Sequence, residues 1–337
     1  MKKFNEIQTK IIGYLNDGLC HSGSELGAHF NVSRTAIWKH IKQLVDAGLP
    51  IQCIPHRGYR LANPMMLLSE TTIREQLKTK NFNEAIHLHL FASLDSTNRL
   101  LRELPRTHAI DVCCAEMQTA GRGRFGRQWY SPFGENIYCS SRWHFGCDLS
   151  RLSGLSLVVS LAILAMLNEI GIKDNIHVKW PNDILWYDKK LCGNLIEVLA
   201  ESNSNAEVII GIGLNVNSPS SRKALREDSS LPNKPWCSLY DVTGDYIDRN
   251  ALIAGLISHL NHYLHDFLRH GFASFITKWH QADYLKGKKI TVSHLNGLLT
   301  GRAEGVNETG QLIIIDEMGV THYLSSGDTS LHTGGVI

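Results

Sequence analysis

Apolar and polar positions along the chain change their period several times, and each change marks a boundary. From His21 to Gly48, HSGSELGAHFNVSRTAIWKHIKQLVDAG, apolar residues recur at helical spacing in two blocks broken at Phe30 to Val32. That pattern predicts two helices joined by a tight turn. Ser33 is placed to cap the second helix, and Ile37, Ile41, Leu44 and Val45 are expected on its buried face. The next stretch, IPHRGYRL, predicts a hairpin with Arg57 and Gly58 near its tip. Pro64 cannot continue the strand, so a first domain is placed at residues 1–63.

Past the boundary the period shortens. IDVCCAEM reads as a strand, whereas SGLSLVVSLAILAMLNEIG is apolar nearly all round and predicts a helix buried against a sheet. In HVKWPNDILWYDKKLCGNLIE, strands are expected over Val178–Trp180, Ile184–Tyr187 and Leu191–Leu199, with turns between them. Those turns present Asn182, Asp183 and Lys190 at one end of a sheet, and GIGLNVN adds a further strand that ends at Asn215. The tail from Gly287 to Leu324 is a run of short strands punctuated by Asn-Gly and other glycine turns.

Composition narrows the class. A chain of 337 residues with 43% hydrophobic positions can bury a core large enough for two or three domains. No apolar run near the N-terminus is long enough for a signal peptide, and Leu155–Leu167 is too short to cross a bilayer, so a cytoplasmic protein without membrane association is expected. The eight cysteines form no C-x-x-C pair and no zinc spacing; buried free thiols and no structural metal are expected. Residues 1–63 hold eight Lys/Arg against four acids, and the remainder 26 against 28. The excess of positive charge therefore sits on the small domain. Arg34, Thr35, Trp38, Lys39 and Lys42 point away from its core, Ser33 opens the helix that carries them, and Arg57 on the hairpin reaches for phosphates. A basic helix with a wing fits the major groove of DNA; the alternative is a solvated helix pair that binds protein.

The stretch GRGRFGRQW, Gly121 to Trp129, satisfies G-x-G-x-x-G on paper. The dinucleotide reading needs a helix after the glycines and an acid about 20 residues on. Here RQWYSPFGEN follows, and Ser141 stands at that distance. No G-x-x-x-x-G-K-[ST] occurs either. What the loop offers is Arg122, Arg124 and Arg127 on a glycine-rich backbone, beside Trp129. Guanidinium groups suit phosphate and carboxylate, so the loop is expected to stay disordered until an anion arrives. The adjoining indole points to a ligand with an apolar part as well.

The order LDSTN, QTAGRGRFGRQWYSPFGENIY, VKWPNDI, DKKLCGNLIE and GIGLNVN closely resembles biotin-protein ligases, and the preceding helix-turn-helix resembles that of the bifunctional bacterial type, which also represses the biotin operon. The resemblance spans essentially the whole chain. It implies an α+β protein in three parts: a winged helix-turn-helix at 1–63, a mixed-sheet ligase domain of the biotin/lipoate type at 66–283, and an SH3-like barrel at 284–337. It implies that biotin and ATP, with Mg²⁺ on the triphosphate, give biotinyl-5'-adenylate, and that the acyl group passes to a lysine of the biotin carboxyl carrier protein. No permanent cofactor is implied. Adenylate-bound copies would form a homodimer on operator DNA.

Residue by residue, the resemblance places Ser96, Thr97, Asn98, Gln118, Arg122, Gly123, Arg124, Trp129 and Lys190 against biotin. Biotin's ureido ring needs polar partners, which Ser96, Thr97 and Gln118 can supply, and an unpaired one would cost about 1–3 kcal/mol. Arg124, Arg127, Lys179, Asn182 and Asn215 match positions near the nucleotide. Arg122, Arg124 and Lys190 supply charge to the reacting phosphate, and Asp183 is a base or an orienter for the acceptor lysine. The chain departs from the family pattern at Phe125, where arginine is common, at Cys192 and Asn194, and at His332 in place of a C-terminal arginine. Two other readings fit the same residues: a repressor whose ligase domain only senses the adenylate, and a lipoate ligase.

Overall fold

The computed structural model describes residues 4–61, 65–105, 109–202, 205–221, 235–294 and 297–331. Pro64 and His332 lie outside the described residues. None of the described helices is long and apolar enough to cross a membrane.

The basic domain folds from three helices, α1 (Glu6–Leu15), α2 (Gly23–Phe30) and α3 (Arg34–Asp46), and a hairpin of β1 (Ile51–Ile54) and β2 (Gly58–Leu61). The turn between α2 and α3 is made by Asn31 in the left-handed region, and the Ser33 hydroxyl accepts from the Ala36 N–H, as its position predicts. Ile37, Ile41 and Leu44 are buried, but Val45 is 41% exposed. The three buried residues follow the i, i+4, i+7 stripe, and Val45 is turned a further 100° round the helix. The core is completed instead by Ala47 and Leu49 beyond the helix end. Ser33, Arg34, Thr35, Trp38, Lys39, Lys42 and Arg57 are all exposed, and Lys42 rests over the Trp38 ring at 5.5 Å. The hairpin is fastened near its tip by reciprocal bonds between the backbones of His21 and Tyr59. Gly58, at φ 134°, is required there, because a Cβ would lie 2.0 Å from the His21 carbonyl.

The central domain is built on a seven-stranded sheet of order β3-β4-β5-β9-β8-β7-β6. Its strands are β3 (Ile86–Phe91), β4 (Ile110–Ala115), β5 (Ile137–Phe145), β6 (Ile176–Lys179), β7 (Asp183–Trp186), β8 (Lys189–Ser202) and β9 (Asn205–Leu214). Only β3 and β4 run parallel. One face packs on α6 (Leu155–Glu169) and the long helix Arg249–His270, against which α4 (Glu70–Thr79) also lies; on the other is α5 (Thr97–Glu103). Alternation along β9 assigns its residues to these faces. Val208, Ile210, Ile212 and Leu214 enter the α6 core, which leaves Ile209, Gly211 and Gly213 for the opposite side.

Five antiparallel strands close the chain, in the order β13-β12-β11-β10-β14. They are β10 (Lys289–His294), β11 (Gly297–Val306), β12 (Leu312–Asp316), β13 (Thr321–Leu324) and β14 (Asp328–Leu331), consistent with the SH3-like unit. They share the main apolar core through Ile290, Val292, Ala303 and Ile314. Polar contacts fix the seat: Trp180 Nε1 donates to the Gly310 carbonyl at 3.1 Å, and Ser153 Oγ to that of Thr309 at 2.6 Å.

His21 is buried in the basic domain between two carboxylates, with Nδ1 at 2.7 Å from Glu25 and Nε2 at 2.9 Å from Asp17. Burial opposes its charged form, but the bonds to Glu25 and Asp17 outweigh it and hold the imidazole above the ordinary 6.5. A raised histidine stabilises the fold while it is protonated, and that stability is lost as pH rises through the folded value. The thermal midpoint of the basic domain is therefore expected to fall between about pH 6 and pH 8, and His21→Gln to flatten that slope. Parallel calorimetric pH series on both proteins check this; identical slopes would exclude His21 as the cause.

Candidate functional site

On the sheet face opposite α6 lies a cavity of about 440 Å³, within the range for small-molecule sites. Its floor depends on what β9 lacks. A Cβ on Gly211 would lie 2.1 Å from Asn98 Oδ1, and one on Gly213 would lie 2.4 Å from Trp129 Cε2. The indole can lie against the strand only because Gly213 has no side chain. This G-I-G alternation was visible in the sequence, small on every second position, and is the signal that the residue-by-residue reading passed over.

Polar side chains at the N-terminus of α5 and on β5 form one connected group. The Gln118 Oε1 accepts from the Thr97 N–H at 2.9 Å and from its hydroxyl at 3.2 Å, and Gln118 Nε2 donates to Ser131. Ser140 Oγ lies 2.6 Å from Thr97 Oγ1 and 2.5 Å from Asn98 Oδ1. Ser96 caps α5 by position but makes no side-chain capping bond, so its buried hydroxyl is not spent on the helix.

Each arginine of the glycine-rich loop is fastened to a different element. Arg122 reaches Glu197 on β8 at 3.3 Å, and Glu197 also holds Asn98 at 2.9 Å and Arg102 at 2.9 Å. Arg124 donates to Asn182 Oδ1 and to the Gly327 carbonyl, each at 3.3 Å. Arg127 pairs with Asp328 on β14. Phe125 stands between them at φ 56°, exposed, with the Arg124 guanidinium 5.0 Å from its ring centre. Burial pushes Arg124 below the ordinary guanidinium value, and Asp183 and Asp328 only partly offset it. A desolvated cation whose hydrogen bonds go to neutral acceptors favours an incoming anion. Two further donors, Trp129 Nε1 and Arg122 Nε, are buried without a hydrogen bond among the described residues.

Lys190 does not sit on a turn as its sequence context predicts. It belongs to β8 and pairs with Leu185, while Cys192 pairs with Ile184, so Leu191 is an extra residue in a bulge. The bulge lets Lys190 Nζ reach Asp183 Oδ1 at 2.7 Å and lie 5.1 Å from the Trp129 ring centre. Asn215 Nδ2 donates to the Cys237 carbonyl at 3.0 Å and lies 3.4 Å from that of Lys190. Cys192 faces the opposite way, into the α6 core, where burial raises its thiol pKa well above the ordinary value.

Ser96, Thr97, Asn98, Gln118, Arg122, Gly123, Arg124, Arg127, Trp129, Asn182, Asp183, Lys190 and Asn215 therefore all line one cavity, and Asn136, Trp236 and Asp328 join them. Lys179 is the exception. Its ammonium donates to the Thr329 carbonyl at 2.6 Å and holds β14 in place, because its side chain leaves the end of β6 toward the C-terminal unit. Asp328 was not named as a site residue, because its partner Arg127 lies far off along the chain.

A mixed sheet with helices on both faces, a polar and cationic cavity on one of them and a helix-turn-helix in front define the class, and comparison with known proteins agrees. Residues 90–215 match the Biotin/lipoate A/B protein ligase family, and residues 8–60 match a helix-turn-helix domain. The chain is 33% identical to the bifunctional ligase/repressor BirA of Escherichia coli, over 98% of this chain and 99% of that one. It is also 33% identical to the Bacillus subtilis BirA, over 90% and 92%. A solved biotin protein ligase from Aquifex aeolicus, in complex with biotin and ATP, superposes with a TM-score of 0.61 at 28% identity, covering 74% of this chain and 99% of that one. The chain belongs to the family of bifunctional biotin-protein ligases and repressors.

The Arg127–Asp328 pair is half-exposed and joins the loop to the C-terminal unit. Asp328→Ala is expected to speed tryptic cleavage after Arg122, Arg124 or Arg127 by roughly two- to five-fold, as befits a pair worth up to about 1 kcal/mol. Mass analysis of timed digests reads this; an unchanged rate would show that the pair does not hold the loop.

Proposed function

We propose that this cavity joins biotin to ATP and that the same chain carries the result to DNA. The protein is a biotin-protein ligase fused to a helix-turn-helix repressor. The observation that carries the reading is that the polar group around Thr97 and Gln118 and the cations Arg124 and Lys190 share one cavity. One end suits a ureido ring, the other a phosphate. Biotin's carboxylate oxygen attacks the α-phosphorus of ATP, supplied as its magnesium complex, and the bond to pyrophosphate breaks. No covalent enzyme intermediate is needed, so the work is to hold two anions together and to stabilise the charge gathering on phosphorus. Arg122, Arg124 and Lys190 do this, while Arg127, Asn182 and Asn215 hold the nucleotide. Trp129 covers the apolar ring and chain of biotin.

In the second step the amine of a carrier-protein lysine attacks the acyl carbon and AMP leaves. The amine must first lose a proton. Asp183 stands at the cavity but is paired with Lys190, which favours orientation of the incoming amine over deprotonation of it. Two adenylate-bound copies then form a homodimer and set their recognition helices on operator DNA in the cytoplasm. A single winged domain with few basic residues makes few phosphate contacts, so useful affinity requires two.

The test is incubation of the full chain with ATP and either biotin or lipoate, followed by mass analysis for the acyl-adenylate. Biotinyl-adenylate alone is expected; lipoyl-adenylate would move the substrate to lipoate, and neither product would leave a sensor. The same samples, titrated with operator DNA and sedimented, are expected to dimerise and bind only with biotin and ATP. Tight binding by an unliganded monomer would break the coupling.

A further inference from the structure

The face of α6 that meets the sheet carries polar residues that its packing does not need. Ser156 and Ser160 lie one turn apart, Ser160 is fully buried, and Asn194 on β8 is 3% exposed. Asn194 Nδ2 donates to Ser160 Oγ at 2.9 Å and to the Ser156 carbonyl at 3.3 Å. The Ser156 hydroxyl lies 2.8 Å from the Pro181 carbonyl and 3.1 Å from Asn194 Oδ1. The Asn194 amide thus ties β8 to the helix and lies 3.5 Å from the Asn182 carbonyl, while Ser156, which that amide also holds, ties the Pro181-Asn182 turn to the same helix.

Asn182 reads that position directly. Its carbonyl accepts from the Asn194 N–H at 3.0 Å, and its Nδ2 donates to the Asn194 carbonyl at 2.7 Å. With the Nδ2 so engaged, Oδ1 is the atom turned to Arg124 Nη1, at 3.3 Å. The polar chain therefore runs from the buried helix through Asn194 and Asn182 to the half-buried guanidinium at the cavity. An aliphatic side chain at 194 could fill the space without any polar atom to satisfy, but it could not tie the turn to α6 through hydrogen bonds.

We propose that Asn194 is a positioning residue for the nucleotide half of the site, acting through Asn182 on Arg124; this rests on the assignment of those two residues to ATP. The test compares the full chain with Asn194→Leu, Ser160→Ala and Asn182→Ala, and with each of the first two combined with the third. KM for ATP and for biotin is measured together with thermal midpoints. Asn194→Leu is expected to raise the ATP KM about ten-fold, equivalent to the ~1.4 kcal/mol of one hydrogen bond. The biotin KM should stay within about two-fold, a split that general loosening of the fold would not give. Ser160→Ala should shift the ATP KM less in the same direction, and neither change should add to Asn182→Ala. Equal shifts in both KM values, an unmoved ATP KM, or full additivity with Asn182→Ala would overturn the proposal. If Asn194→Leu does not fold, Ser160→Ala, which removes a single oxygen, decides by the same comparison. A wild-type chain that forms no adenylate overturns the underlying assignment, whereas an active wild type with unmoved variants overturns this inference alone.

Discussion

The ligase half depends on keeping three like charges over one cavity without letting them disperse into solvent. Arg122, Arg124 and Arg127 lie within six residues, and each is drawn to a separate anchor: Glu197 on the sheet, the Asn182 turn with the Gly327 carbonyl, and Asp328 on the last strand. Repulsion between neighbouring guanidinium groups is thereby offset one residue at a time. The anchors differ in strength. Arg122 meets a carboxylate shared with Arg102 and Asn98, and Arg127 a half-buried one, while the bonds of Arg124 go only to neutral oxygens. Of the three, Arg124 is the one left with electrostatic demand to give to a ligand.

The rest of the fold can be read as support for that arrangement. The C-terminal unit is held to the sheet by Lys179 on Thr329, Thr329 on the Trp180 carbonyl and Trp180 on Gly310, which brings Gly327 and Asp328 to the cavity mouth. The buried pair of Arg249 with Glu116, at 2.7 Å, ties the long helix to the segment just before Gln118. Arg249 also donates to the Met66 carbonyl at 2.6 Å, so the chain entering from the basic domain is fixed at the same point. Beside it, Phe133 and Met117 pack against the basic domain, where a Cβ on Gly48 would lie 2.7 Å from the Met117 sulfur. The basic domain thus touches Met117, the residue next to Gln118 in the sequence.

Sequence reasoning located the helix-turn-helix, the buried helix α6 and about half of the residues that line the cavity, because these follow from local period, capping chemistry and motif order. The Ser33 cap and the exposed basic face of α3 needed nothing beyond the 3.6-residue repeat. It misplaced Val45 and Lys190, for different reasons. Val45 is apolar but lies past the edge of the buried stripe, and the turn after α3 supplies Ala47 and Leu49 instead. Lys190 is displaced by a bulge that leaves no mark in composition. Lys179 belonged to the right motif but points to another layer. Asp328 and Glu197 were out of reach, since their partners lie far off in sequence and only the folded sheet brings them together. Asn194 stood out as a departure, and its role became legible only beside Ser156 and Ser160.

The claim on which the account rests is that Arg124 supplies the charge that holds the adenylate. Its most direct measurement is the dissociation rate of preformed biotinyl-adenylate from the wild-type chain and from Arg124→Ala, followed by filter retention at fixed salt. Loss of a charge-assisted bond of about 1.5–3 kcal/mol should speed release by roughly ten- to a hundred-fold, with biotin affinity much less affected. Equal release rates for the two proteins would contradict the account.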